Sequence, residues 1–454
     1  MQENLNELFE KLQNFYSLRK FADLRILLLD MEPADIASFL EELKENDRVL
    51  FFRLLPKQLA SDVFVEISSD TQEDLIKIFS DKELKEIIND MFLDDTVDII
   101  EEMPSNVVKR ILKNTDPQDR KIINELLEYP EDSAGSLMTP EYVSMKGSLT
   151  VQEAFNKIRR EGLDKETVYT CYVTDNHKKL IGVVTVKDLL LASDDSLIED
   201  IMEKSIITVN TLEDKEVVAM TFQKYAYLTL PVIDKEGCMV GIITVDDAVD
   251  VLQEEATEDI HKMAAVTPTD KPYLKQSLFM IFLSRFPWLV LLMLSATFTS
   301  LIIGVYEEKL YLITPTLFAC IPMIMGTGGN AGSQSAVTIT RAIALDEVEF
   351  KDVFRVLIRE IAVGLLLGLS VSILCFLKLM FIDSLYNEVT PLIAFTISLS
   401  LFATIVLAKI VGCALPLIAK KIKLDPAVMA SPFITTIVDA VSLILYCAVS
   451  IAIL

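Results

Sequence analysis

The chain holds 454 residues, three times the ~150 that one domain commonly takes, so there is room for two or three domains. It is 51% hydrophobic with a mean hydropathy of +0.39, yet carries 67 Asp/Glu against 42 Lys/Arg, a net charge of −25. A charge this negative excludes a nucleic-acid partner, since a phosphate backbone needs a basic footprint, and it points to cations instead.

One soluble globule rarely combines an apolar excess with such a charge. A division at residue 270 resolves the conflict: residues 271–454 hold 13 Lys/Arg and 11 Asp/Glu, while 1–270 hold 29 and 56. The six cysteines, Cys171, Cys238, Cys320, Cys375, Cys413 and Cys447, form no close motif and read as small hydrophobes in a reducing compartment. No basic region followed by an apolar run opens the chain, so the acidic half is expected to stay in the cytoplasm.

Residues 1–130 predict an acidic, all-α domain. Amphipathic units recur at Met31–Leu43, Leu55–Ile67 and Met103–Leu112, each with a Pro near its start, where the missing N–H is tolerated. This pattern predicts a small superhelix of stacked helix pairs. Asp94, Asp95, Asp98, Glu101 and Glu102 follow at helical spacing and crowd one face.

Residues 131–250 contain a duplication. Asp175 and Asp234, Gly182 and Gly241, Thr185 and Thr244, and Asp188 and Asp247 are each 59 apart. Each copy reads as strand, turn, strand, helix, opened by Met138-Thr-Pro in one and Met202-Glu-Lys in the other. This resembles a tandem pair of α+β CBS domains, at 131–200 and 201–250. The resemblance puts Thr185/Asp188 and Thr244/Asp247 where an adenosine ribose, as of ATP, is often held. Capping of the following helix accounts for the same four residues without a ligand.

A connecting helix over 246–275 leaves this pair. Asp247, Asp250, Glu254 and Glu258 are spaced 3, 4 and 4 apart, with Asp246, Glu255 and Asp259 beside them and no basic residue before Lys262. Like charges at i,i+4 destabilise a helix by roughly 0.2–0.5 kcal/mol per pair. Hard divalent ions, which bind carboxylate oxygen, would offset that. Either acidic cluster alone reads as a solvated face; two of them, one on the connector, read as a cation-sensing interface.

Residues 276–454 predict five membrane spans, at 288–306, 312–325 with its continuation, 361–381, 392–417 and 429–454. The second is short and runs into a glycine cluster, so it is either broken or extended. Lys and Arg concentrate before the first span, between the second and third, and between the fourth and fifth, which predicts a cytoplasmic N-terminus and an outside C-terminus. Asp439 lies deep in the last span, at an insertion cost of at least ~2.5–3.5 kcal/mol, and reads as functional. Ser431, Thr435 and Ser442 share its helical stripe, with Thr436 beside it. Lys378 and Lys409 are the basic residues that could pair with it, and both read as near helix ends. Glu360, beside Arg355 and Arg359, reads as a salt-bridged interface residue. Gly326–Ser335 holds four of the 14 glycines within seven positions. It serves either close helix packing or, through Asn330 and Gln334, the orientation of water around a hydrated ion. One carboxylate per chain is thin for a divalent cation, so a homodimer with two Asp439 facing across a twofold axis is the economical assembly.

In this order of parts the chain is similar to the MgtE family of magnesium channels, on Glu254-Glu-Ala-Thr-Glu-Asp-Ile260, Gly329-Asn-Ala-Gly-Ser-Gln334 and Pro432-Phe-Ile-Thr-Thr-Ile-Val-Asp439. The resemblance implies a homodimeric channel for Mg2+ uptake across the plasma membrane, with the pore between subunits and Asp439 as its carboxylate. It implies that the helix at 247–264 plugs the pore when cytosolic Mg2+ is high. Asp94, Asp98, Asp247, Asp250, Glu255, Glu258 and Asp259 match its sensor positions, and Asp425 an acid at the pore mouth. Two departures are Ser431, where some members have Asn, and Ala226, where some have an acid. Two other readings stay open on the residues alone: a nucleotide-sensing membrane receptor, and an ion-coupled secondary transporter. With only His177 and His261, and no nucleophile–base pair, an enzyme is not expected.

Overall fold

Ten short helices, from Gln2–Ser17 to Pro117–Leu126, fill the N-terminal part of the computed structural model. The structure describes residues 2–269, 273–386, 388–429 and 431–454. The chain divides into two units, Met1–Leu252 and Gln253–Leu454. In the first, helices of 8–10 residues such as Pro33–Glu42 and Lys57–Glu66 are too short to persist alone and hold by their apolar faces. Phe39 packs on Phe9 and Phe51 at 5.1 Å between ring centroids, and Phe52 on Phe79 at 5.3 Å. One helix of this series, α1 (Leu93–Glu102), buries Val97, Ile99 and Ile100 and turns its acidic residues away from that core.

The duplicated segment forms two three-stranded sheets, β1 (Tyr142–Met145), β2 (Thr167–Thr174) and β3 (Leu180–Thr185), then β4 (Val209–Asn210), β5 (Thr229–Ile233) and β6 (Met239–Thr244). In each, the first pair is parallel and the second antiparallel. The 59-residue offset survives in the register: Val173 pairs with Gly182 and Val232 with Gly241. Both glycines are required by close approach, but the approach crosses between copies. A Cβ on Gly241 would meet Met138 and the Thr139 carbonyl, and one on Gly182 would meet Met202. Bridges Thr139↔Ile242 and Val183↔Glu203 make the same exchange. Each copy is therefore covered by the opening segment of the other. The core of the helical series runs without a break into that of the second copy, through Leu230, Val232, Ile243 and Val251.

Helix α2 (Val245–Met263) begins in the first unit and ends in the second. The second unit is helical: α3 (Leu278–Ile313), α4 (Ile321–Ala344), α5 (Val353–Phe381), α6 (Pro391–Lys421) and α7 (Ser431–Ile453). Among the described residues, four helical stretches are long and apolar enough to cross a bilayer, Leu278–Ile313, Phe350–Leu385, Pro391–Lys421 and Pro432–Ile453. The expected second span divides: α3 ends at Ile313, a short helix covers Pro315–Ala319, and α4 runs unbroken through the glycine cluster. Packing explains why those glycines do not break it. A Cβ on Gly412 of α6 would strike the Gly332 carbonyl, and Gly328 sits against Thr404 and Ser442. Small residues let α4, α6 and α7 approach closely, the usual device where lipid removes the hydrophobic drive between helices.

Two expectations about charge are corrected. Glu360 takes a 2.5 Å hydrogen bond from the Ser335 hydroxyl and joins no ion pair with Arg355 or Arg359 among the described residues. Lys409 is not near a helix end: it lies well inside α6, only 4% exposed, with its stem against Gly364. Lys378 does sit at the end of α5 and pairs with Asp383 at 2.9 Å. Neither lysine forms an ion pair with Asp439 among the described residues.

Candidate functional site

Three places gather the chemistry. The first lies in the N-terminal unit. Helical spacing puts Asp94, Asp95 and Asp98 on the outward side of α1, while the duplication delivers Asp246 and Asp247 at the first turn of α2. The fold adds two acids that spacing does not reveal: Glu141, just before β1, and Glu166, just before β2. Glu141 accepts a 2.9 Å bond from the Leu93 backbone N–H, which ties the first sheet to the start of α1. Asp247 accepts from the Thr244 hydroxyl at 2.5 Å.

No basic side chain pairs with any of these carboxylates among the described residues. One oxygen of Asp94 and one of Glu166 are buried without a hydrogen-bond partner. Burial first, and the crowding of like charges second, holds Asp94 well above the usual carboxylate range and pushes Asp95 up to about 7 and Glu166 up to about 8. Burial also lifts Asp247 to about 6, against the pull of the Thr244 hydroxyl. Orphaned buried oxygens in a like-charged group are costly unless a proton or a cation satisfies them. Oxygen-only donors fit a hard divalent ion. Asp250 is exposed, whereas Asp98, though its side chain reaches solvent, is pushed up to about 7 by burial and then by the charges of Asp247 and Asp95. Glu141 and Glu166 had no local signal, since each stands at a strand start and outside any acidic helix face.

The second place is the end of α2 and belongs to the other unit. Glu254 is exposed, while Glu255, Glu258 and Asp259 are half-buried. Lys262 bridges Glu258 at 2.6 Å and Asp425 at 2.8 Å. Asp425 also accepts from the Ala427 backbone N–H at 2.8 Å, which fixes it in the turn between α6 and α7.

The third is the middle of the helical bundle. Gly329 of α4 faces α7, and a Cβ there would lie 3.1 Å from the Asp439 carboxylate and 3.2 Å from Thr435. Thr435, Asp439 and the neighbour of Asn330 thus meet. Thr435 and Thr436 both donate to the Pro432 carbonyl, at 2.8 and 3.0 Å. One carboxylate oxygen of Asp439 is buried without a partner. Ser442 is not on the open side of this stripe: it is 2% exposed and packs toward Gly328. The side chain of Ser431 lies outside the described residues. On α4, Gly326, Asn330, Gln334 and Thr338, four apart, are all exposed. A bare amide stripe suits water or a protein partner and is costly against lipid.

A cavity of about 600 Å³ opens in the sheet pair, lined by Tyr169, Thr185, Lys187, Ile207, Tyr227 and Pro231 among others. Of the four residues predicted for a ribose, only Thr185 lines it. Asp188 is a capping partner of Thr185 at 2.5 Å, and Asp247 is the same to Thr244. In the first copy Thr185 and Asp188 form a reciprocal capping box, while in the second Asp247 accepts from the Thr244 N–H and hydroxyl and also joins the acidic group.

An apolar bundle with a half-buried carboxylate, unpaired among the described residues, and a polar stripe, preceded in the chain by an acidic helix and paired CBS sheets, defines a membrane transport protein with an attached CBS module. Comparison with known proteins agrees. The model for divalent cation transporters of the MgtE type matches residues 321–449, that for the MgtE intracellular N domain 31–132, and that for CBS domains 134–195 and 198–254. Magnesium transporter MgtE of Thermus thermophilus is 36% identical over 94% of this chain and 94% of its own length. That of Bacillus subtilis is 30% identical over 95% and 94%. Among solved structures, the soluble part of a magnesium transporter matches with a TM-score of 0.53 at 30% identity, over 56% of this chain and 99% of that one. The cytosolic domain of the Mg2+ channel MgtE in complex with ATP matches at 0.51 and 35%, over 54% and 99%. The chain belongs to the MgtE family of magnesium transporters.

Proposed function

We propose that the protein is a homodimeric, magnesium-selective channel of the plasma membrane, with its acidic half in the cytoplasm and its C-terminus outside. The observation that carries this is the half-buried Asp439 beside Gly329, one of its oxygens buried without a partner, next to the exposed Asn330 and Gln334. One carboxylate per subunit is little for a dehydrated ion. Magnesium gives up its waters reluctantly, so Asp439 of two subunits, with Thr435, Thr436 and Asn330 orienting water, suits a hydrated ion. Ser431 is assigned to the same ring from its spacing.

Asp94, Asp95, Asp98, Asp246, Asp247 and Asp250, and on the far part of α2 Glu254, Glu255, Glu258 and Asp259 with Asp425, sense cytosolic Mg2+. Binding there shifts the population toward a closed state because the ion is held better in it. The test is Mg2+ uptake into proteoliposomes holding the intact chain, driven by a Mg2+ gradient alone. Uptake is expected without added sodium or a proton gradient. A strict need for either would replace the channel by a coupled transporter.

The cavity in the sheet pair favours a second, compatible role: binding an adenine nucleotide between Tyr227, Ile207 and Pro231, with Lys187 toward the phosphates. Calorimetry of the intact chain is expected to detect ATP. Lys187→Ala should weaken ATP about tenfold, the worth of one charge-assisted contact, and leave adenosine nearly unchanged. Equal loss for both ligands would remove Lys187 from the phosphate position.

A further inference from the structure

The sensing role proposed above leaves one charged residue of α2 unaccounted for. Lys262 is a basic side chain in the half-buried group formed by Glu258, Asp259 and Asp425. Its ammonium touches two of these carboxylates, Glu258 at 2.6 Å and Asp425 at 2.8 Å. These two acids come from different parts of the chain, one on the connector and one on the turn between α6 and α7. An ion that joined the connector to that turn through Glu258 and Asp425 would meet the ammonium on the same oxygens. The lysine side chain is only 26% exposed, so it is held in this position by its surroundings rather than swinging in solvent. The three carboxylates carry a formal −3, which Lys262 reduces to −2.

We propose that Lys262 is a tethered cation that competes with Mg2+ for Glu258 and Asp425 and so sets the ion concentration at which the connector responds. The reasoning rests on the sensor reading of this cluster. A covalently attached ammonium has a fixed local concentration, so it acts as a constant competitor. Removing it leaves two acceptors open and the group one charge more negative, and both changes favour a divalent ion. A lysine that merely latched the connector to the turn would act in the opposite sense, because its loss would weaken the joined state.

The experiment compares the intact chain with Lys262→Met, Lys262→Gln and Lys262→Arg. It reads half-saturating Mg2+ by calorimetry in detergent and half-inhibiting cytosolic Mg2+ in excised patches. Met and Gln are expected to lower both concentrations about tenfold, the equivalent of one charge-assisted hydrogen bond, while Arg stays near wild type. Unchanged values, or a shift to higher Mg2+ in both Met and Gln, would overturn the proposal. Wild-type chain that bound no Mg2+ in calorimetry would instead overturn the sensor reading and this inference with it, whereas binding that is merely unmoved by the variants sinks the competitor alone. The Gln variant, polar and close in length, guards against misfolding of the Met variant.

Discussion

Replacing Asp439 by Ala is expected to remove Mg2+ uptake, by about a hundredfold at equal reconstitution, if each subunit loses a charge-assisted contact of ~1.5–3 kcal/mol. The carboxylate has no basic partner among the described residues, and one of its oxygens is buried without a hydrogen bond. A structural acid in that position would be paired. Burying it is a cost to the fold, so the same variant should melt at the wild-type temperature or above it. Loss of transport with retained stability separates a conducting role from a structural one. Asp439→Asn keeps the shape against Gly329 and should lose most of the flux as well, since charge and not size is removed. Full uptake by a folded Asp439→Ala protein would move the ion path away from α7. The hydroxyls of Thr435 and Thr436 already donate to the Pro432 carbonyl. Each hydroxyl is already engaged and carries no net charge, so Ala at either should have a smaller effect than at Asp439.

The second large effect belongs to the acidic group of the N-terminal unit. Asp94, Asp95 and Asp247 changed together to Asn should make conductance insensitive to cytosolic Mg2+, as read in patch recordings. The same change should stabilise the metal-free protein. The sign follows from linkage. Burial raises these carboxyls in the folded state, Asp247 to about 6, Asp95 to about 7 and Glu166 to about 8, while the unfolded chain keeps ordinary values. The folded form therefore holds more protons, and stability present at low pH is lost as pH rises through 6–8. In chelator, wild-type protein is expected to melt at least about 4 °C lower at pH 8 than at pH 5.5, where 1 kcal/mol corresponds to about 2–4 °C for a unit of this size. Mg2+ should recover that loss at pH 8 and do little at pH 5.5, where protons occupy the oxygens. A melting temperature independent of pH in chelator would mean that these acids are not coupled to the fold as their geometry requires.

Much of this was legible in the residues. Charge and hydropathy alone separated an acidic half from an apolar one near residue 270, and the unit boundary falls inside the connector that joins them. The 59-residue repeat announced two like sheets, and the pairings Val173↔Gly182 and Val232↔Gly241 keep that interval. The residues of Glu254–Ile260, Gly329–Gln334 and Pro432–Asp439 carried the family. These signals are local or periodic: a helix face repeats every 3.6 residues and a strand face every two, so one stretch of sequence suffices to see them.

Tertiary structure decided what touches what. Glu141 and Glu166 join Asp94 and Asp247 only because the first sheet meets α1, and no spacing relates them. The glycines after Ile321 left open whether a helix breaks or packs; the Gly412–Gly332 approach answers it, because only a neighbouring backbone makes a missing Cβ necessary. Each CBS copy is covered by the other's opening segment, which an unfolded reading of the repeat assigns to the wrong sheet. From the sequence Lys409 read as near a helix end, and Glu360 as a salt-bridged interface residue from its neighbours Arg355 and Arg359. Packing instead buries Lys409 beside Gly364 and gives Glu360 to Ser335. The sequence by itself determined the order of the parts, most of their elements and the family, since those follow from short-range pattern; the division of the second span does not. Which acids crowd together, and which of their oxygens are orphaned, was decided by contacts between distant segments.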